Sequence, residues 1–284
     1  MKKGLKTIVA GVVVAVVGVV VLLCALGASG WNYNQVGNWE EDTYTTDAEI
    51  TKLTIEVNAG QVVIKRGSSN TVFVKYQYND KYKPEFKEKG DGVLSIETAK
   101  KRWYNFNAWF EDAPTIEIEI NENCYPVIDL ELNAGTVQLG DGNWGNLIDV
   151  ELNAGAMAIG NVTVDELHLD VNAGALDAQK IQCQKATCKL SAGAFSIKEL
   201  VCGSFDCDVS AGSAEVKKLD STSVTLDVSA GSAALGLAGA QSDYNVRVDK
   251  SAGSCNVSSQ TNSAATRLLA IDISAGSVNI SFGK

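Results

Sequence analysis

The sequence predicts an all-β fold, a single-chain parallel β-helix (solenoid) of coils about nineteen residues long, preceded by one N-terminal transmembrane helix. Three observations carry that prediction. The tripeptide Asn-Ala-Gly or Ser-Ala-Gly recurs, ending at Gly60, Gly135, Gly155, Gly174, Gly193, Gly212, Gly231, Gly253 and Gly276, and from Gly135 the steps are 20, 19, 19, 19, 19, 22 and 23 residues. Apolar residues alternate on both sides of each tripeptide, the period-2 signature of half-buried strands. No charged residue lies between Thr7 and Gly30.

Alignment on the glycine turns the repeat into columns. Five residues before it stand Ile55, Leu130, Val150, Leu169, Cys188, Cys207, Leu226, Val248 and Ile271, and four after it stand Ile64, Leu139, Ile159, Ala178, Ile197, Val216, Leu235, Val257 and Ile280. The glycine marks a corner where the chain takes a conformation that other residues resist. One nineteen-residue unit buries too few side chains to offset the entropy of ordering its backbone, so the units must stack. A right-handed winding is preferred, because left-handed solenoids show strict hexapeptides and this sequence has none. Two residues before the glycine, Asn58, Asn133, Asn153 and Asn172 give way once, in a block, to Ser191, Ser210, Ser229, Ser251 and Ser274. Such blocks are expected where side chains stack on their own kind.

Residues 1–30 read as a cytoplasmic tip and a membrane anchor. Thr7–Ala28, at about 1.5 Å per residue, spans a hydrocarbon core of ~30 Å. Lys2, Lys3 and Lys6 in front place the N-terminus in the cytoplasm and the body outside, in a single-pass cell-membrane arrangement. A cleaved signal peptide is the competing reading, although the apolar run exceeds its usual length. Residues 31–50 read as a polar stalk, 51–125 as irregular β coils or a cap, and 126–284 as the regular β-helix. Within 51–125 the strand patterns are Thr71–Tyr78, Val93–Thr98 and Thr115–Ile120.

The anchor, the run Thr115-Ile-Glu-Ile-Glu-Ile120 leading into Val127-Ile-Asp-Leu-Glu-Leu-Asn-Ala-Gly135, and the strand-Ala-Gly-strand units together resemble the bacterial putative-adhesin family of β-strand-repeat proteins of unknown function. The resemblance covers most of 50–284. It implies a surface-exposed or envelope-associated protein, in some relatives linked to envelope stress, and it transfers no catalytic residue.

Charge excludes one class of partner. With Lys2, Lys3 and Lys6 set aside, 21 basic against 34 acidic residues leave −13 on the body, which repels nucleic acid. One His and no Cys-x-x-Cys argue against a zinc enzyme, and no cofactor is expected. Four residues before each glycine runs an acidic column, Glu56, Glu131, Glu151, Asp170, Lys189, Asp208, Asp227, Asp249 and Asp272. It reads as a solvated face that discourages edge pairing, with Asp129, Glu131, Asp149, Glu151 and Asp170 as a weak candidate for divalent cations.

The cysteines follow the coil. Cys183 and Cys202 are 19 apart, as are Cys188 and Cys207, so each pair is either two buried small hydrophobes or an inter-coil disulfide. Cys255 reads as core, and Cys124 has no assigned place. Trp103, Tyr104, Phe106, Trp109 and Phe110 form an aromatic run that either plugs the open end of the core or offers a carbohydrate, partner or membrane contact. His168 falls on the outward row as a solvated residue.

These features favour a non-enzymatic, membrane-anchored surface scaffold, adhesin or envelope-stress accessory, in contact with envelope polymers or another protein. A polysaccharide-binding or polysaccharide-cleaving β-helix is the second reading, by fold analogy alone. The third is a homotypic module that pairs through an uncapped last coil, Ser277–Phe282.

Overall fold

A computed structural model describes residues 39–283, apart from 59, 69–70, 80–82 and 99–113. The apolar segment 7–28 and the aromatic residues 103–110 lie outside the described residues. Among the described residues no helix is long and apolar enough to cross a membrane. Strands follow one another as β1 (Glu40–Thr46), β2 (Lys52–Val57), β3 (Gln61–Gly67), β4 (Val72–Tyr78), β5 (Glu85–Lys89), β6 (Val93–Glu97), β7 (Thr115–Asn121), β8 (Val127–Leu132), β9 (Thr136–Leu139) and β10 (Gly142–Leu152). They continue as β11 (Ala156–Val171), β12 (Ala175–Gln182), β13 (Lys185–Leu190), β14 (Ala194–Val209), β15 (Ser213–Val228), β16 (Ser232–Leu237), β17 (Tyr244–Lys250), β18 (Ser254–Cys255), β19 (Arg267–Ile273) and β20 (Ser277–Phe282).

The strands stack in parallel, equivalent positions of neighbouring coils lying opposite each other. Leu169 faces Val150 on one side and Cys188 on the other. Cys188 in turn faces Cys207, which faces Leu226. The strands around each corner alternate buried and exposed side chains, and the inward residues make one continuous core from Ile50 to Ile280. The polar column behaves as like-on-like stacking demands. The Asn133 amide donates to Asn58 Oδ1 (3.4 Å), Asn153 to Asn133 (3.1 Å) and Asn172 to Asn153 (2.8 Å), and the Ser191 hydroxyl continues the chain to Asn172 (3.3 Å).

At both ends the order of coils in space departs from the order in sequence. The first coil, β2 and β3, is flanked by β6 and β7 on one side and by β8 and β9 on the other. At the far end β19 and β20 insert between β15–β16 and β17–β18. The chain thus runs outward to build a terminal layer and then returns into the stack. Ser277 and Val278 are therefore paired on both sides, and the Asn256 side chain covers the Ile280 backbone (2.7 and 2.8 Å), so this strand is not the wholly open edge that pairing through an uncapped last coil assumes. The outer layer is β17–β18, and its edge is met by the following segment. Val246 and Gln260 exchange backbone hydrogen bonds (2.8 and 2.7 Å), and Val248 N–H donates to Ser259 Oγ (2.9 Å).

The opposite end is closed by antiparallel strands, β4 on β7, β1 on β4, and β5 on β6. Tyr44 of β1 stacks on Phe86 of β5, with ring centroids 4.6 Å apart and planes within 4°, and Tyr76 packs against the same Phe86 at 5.0 Å. Residues 40–46, which the sequence assigns to a stalk, thus belong to this cap. Their polar composition, Glu-Glu-Asp-Thr-Tyr-Thr-Thr, suits an edge strand that must not recruit other sheets, and it hides the strand from a hydrophobicity pattern.

The corner glycines have two causes, of which the repeat suggests only one. Gly60, Gly135 and Gly155 have φ of +119°, +113° and +124°, but the later corners do not have positive φ. What every coil shares is close approach. A Cβ on Gly212, for example, would lie 2.4 Å from Gly193 O and 2.7 Å from Leu190 Cδ2. Between those corners runs the hydrogen bond from Ser213 N–H to Gly193 O (3.1 Å). Gly212→Ala should therefore lower stability by about 1–3 kcal/mol through overpacking alone. Gly90→Ala, where a Cβ meets nothing within 4 Å, should shift it by no more than about 0.5 kcal/mol. Denaturant midpoints of the two variants check the contrast, and equal effects would contradict it.

Candidate functional site

In-register stacking builds a carboxylate ladder along one face. Glu97 faces Glu56, Glu56 faces Glu131, Glu131 faces Glu151, and Glu151 faces Asp170. Lys189 then interrupts, and the ladder resumes through Asp208, Asp227, Asp272 and Asp249 in that spatial order. Neighbouring parallel strands lie about 4.8 Å apart, so like charges repel along the face. Local donors offset part of this. The Asn58 amide donates to Glu56 (3.1 Å), the Asn133 amide to Glu131 (2.9 Å), and Lys52 pairs with Asp129 at 2.7 Å.

The candidate cation ligands Asp129, Glu131, Asp149, Glu151 and Asp170 are spread along two columns of this face. Among the described residues no group of three or more His, Cys, Asp or Glu side chains converges where a metal could sit. Within each column, successive carboxylates belong to successive coils, one strand spacing of about 4.8 Å apart. His168 stands opposite Asp149 in the adjoining column, at the surface, with Nε2 3.6 Å from Glu166 Oε2.

Farther along the ladder the repulsion becomes visible in Asp227. Partial burial, with Asp208 and Asp272 on either side, raises its carboxyl above the ordinary value. A carboxyl whose pKa is higher folded than unfolded destabilises the fold once both states are ionised. That cost fades as pH falls through the folded pKa towards the unfolded value of about 3.9. Asp227→Asn should accordingly raise the thermal midpoint at pH 7 and low salt. The gain should stay under about 1 kcal/mol, because solvent screens an exposed charge. It should shrink below about pH 4 and in molar salt.

A second feature joins three distant parts of the chain. The Arg66 guanidinium lies 4.4 Å from the Trp144 ring centroid and 5.2 Å from that of Tyr125. It donates to the carbonyls of Cys124 (2.7 Å), Asn121 (3.1 Å) and Asn143 (2.8 Å). Trp144 is fully buried, whereas Tyr125 is 44% exposed. Two shallow recesses meet at that tyrosine. One, of about 590 Å³, is lined by Asp47, Glu49, Thr51, Asn121, Asn123 and Asn146. The other, of about 360 Å³, is lined by Asn143, Thr163 and Asp165. The result is a fixed aromatic face rimmed by amides, hydroxyls and carboxylates. Sequence reasoning missed it because Arg66, Tyr125 and Trp144 share no spacing and belong to different coils.

The remaining sequence candidates fall as follows. Trp103, Tyr104, Phe106, Trp109 and Phe110 lie outside the described residues, and the aromatic packing beside the antiparallel strands comes from Tyr44, Tyr76 and Phe86. Cys183, Cys188, Cys202 and Cys207 are present as thiols. Cys255 is half-buried in the outermost coil, and half-buried Cys124 directs its sulfur at Ile50 O (3.6 Å) beside the larger recess.

Known structures share this architecture. A putative adhesin from Bacteroides fragilis is 15% identical, with 87% of this chain and 99% of that chain covered and a TM-score of 0.54. A putative adhesin from Parabacteroides merdae is 12% identical over 87% and 97% of the two chains, with a TM-score of 0.58. A protein described as a putative lipid binding protein from Parabacteroides distasonis is 14% identical over 87% and 98%, with a TM-score of 0.55. No curated protein matches the chain. The Toastrack DUF4097 family model matches residues 50–283, and with that span covered the chain belongs to the Toastrack DUF4097 family.

Proposed function

We propose that this protein is a membrane-anchored, extracytoplasmic β-solenoid that acts without catalysis, as a surface scaffold or adhesin. The observation that carries the reading is the register: it repeats one flat, acidic surface coil after coil, a form suited to many weak contacts along a rod. The structural neighbours described as putative adhesins support it by fold alone. The apolar run Thr7–Ala28, with its basic N-terminal flank, is the proposed anchor and puts the body outside the cytoplasm. The winding is right-handed on this account, as parallel strand crossovers almost always are.

Protease added to intact bacterial cells that express the full chain should degrade the solenoid and leave the N-terminal tip, and deletion of residues 7–28 should release the body from membranes. A solenoid that stays protected until lysis would contradict the topology.

The Tyr125 recess favours a second reading, a polysaccharide-binding surface. Sugar rings stack on exposed aromatic faces, and planar amides and carboxylates satisfy their hydroxyls. Tyr125→Ala should then weaken retention on immobilised envelope polysaccharide about tenfold, or ~1.4 kcal/mol, while circular dichroism shows the variant still folded at the assay temperature. Unaltered retention removes this reading and leaves the scaffold intact.

A further inference from the structure

We propose that Cys183 and Cys202 form a disulfide-bonding thiol pair that staples consecutive coils, and that Cys188 and Cys207 stay reduced. The pairs look alike in sequence but occupy different settings. Gln182 faces Val201 in the parallel ladder, and the next position carries Cys183, whose N–H donates to Val201 O (2.9 Å). Cys183 lies just beyond the end of β12, in the turn before β13, and is half-buried. Cys202 is 6% exposed in β14 and faces Ser221 of the next coil.

That register sets Cys183 beside Cys202 on the neighbouring coil. In-register parallel residues sit about 4.8 Å apart, wider than the ~3.8 Å Cβ separation of a disulfide, so one partner must shift. Cys183, held by the ladder on one side only, has that freedom. Cys188 and Cys207 face each other mid-strand, each 1% exposed, where such a shift would break ladder hydrogen bonds.

The first pair is asymmetric in access: Cys183 is half-buried in the turn, whereas Cys202 is 6% exposed, so Cys183 is the thiol that an oxidant reaches first. Cys188 and Cys207 are closed off in the core, and burial pushes both thiols up. With oxidised glutathione as the oxidant, Cys183 loses its proton and attacks one sulfur of the glutathione disulfide, whose S–S bond breaks and releases a glutathione thiolate. That thiolate takes up the proton that Cys183 lost. Cys202 then loses its proton and attacks the Cys183 sulfur, and the second glutathione leaves as a thiol. Two protein thiols become a disulfide and one glutathione disulfide becomes two thiols.

The test treats the folded full chain with oxidised glutathione, alkylates it after denaturation in acid, and maps the peptides. The expected product links Cys183 to Cys202 and has lost two hydrogens, with Cys188 and Cys207 alkylated. Cys202→Ser should trap glutathione on Cys183, and Cys183→Ser should abolish the adduct. A Cys188–Cys207 link, or four alkylated thiols in the wild-type chain, would overturn the proposal. The wild-type map needs no variant, so a misfolded substitution cannot mask the outcome.

Discussion

The contact between corner glycines constrains everything else in this molecule. Each corner carbonyl lies against the Cα of the next corner, and it accepts the hydrogen bond that starts the following strand: Ala194 N–H donates to Gly174 O, Ser213 N–H to Gly193 O, and Ser232 N–H to Gly212 O. With no Cβ at the corner, one coil settles onto the next at strand spacing, and the register is fixed from that point outward. A slip by one residue would turn every inward side chain to solvent. The alternation of buried and exposed residues therefore reinforces what the corners set.

Fixed register puts each side chain against its own kind, and the consequence depends on chemistry. For asparagine it is favourable, because an amide both donates and accepts, and the chain Asn58–Asn133–Asn153–Asn172 uses both groups. For carboxylates it is unfavourable, since they only accept. The ladder tolerates this because water screens it, because Asn58, Asn133 and Lys52 supply donors, and because Lys189 breaks its length. A face that costs stability yet recurs coil after coil is better understood as an outward display than as part of the scaffold's cohesion.

The columns were legible in the sequence because strand period and coil length are both short and both repeat. Leu169 between Val150 and Cys188 needed no more than counting. The order of coils at the ends was not legible. Leu226, Val248 and Ile271 are interchangeable in pattern, so nothing in the sequence reveals that Ile271, and not Val248, faces Leu226. The reason for the glycines was half legible: left-handed backbone accounts for Gly135, but the clash that excludes a Cβ at Gly212 exists only once two coils are in contact. The Arg66–Trp144–Tyr125 stack was hidden for the same reason, as three residues from separate coils meet only through the winding. The two cysteine pairs, identical in spacing, became distinct once Cys183 was seen in a turn and both members of the other pair mid-strand.

Insertion of the last strands into the stack is the least intuitive feature of this architecture and the one on which the assignment of interior and edge rests. Scalar couplings across hydrogen bonds, read by NMR on isotope-labelled protein, test it directly. Coupling of Ser277 N to the Gly231 carbonyl carbon, and of Ser254 N to that of Gly276, is what the fold requires. Coupling of Ser254 to Gly231 would mean that the coils follow one another in simple chain order, and the account of both ends would fail.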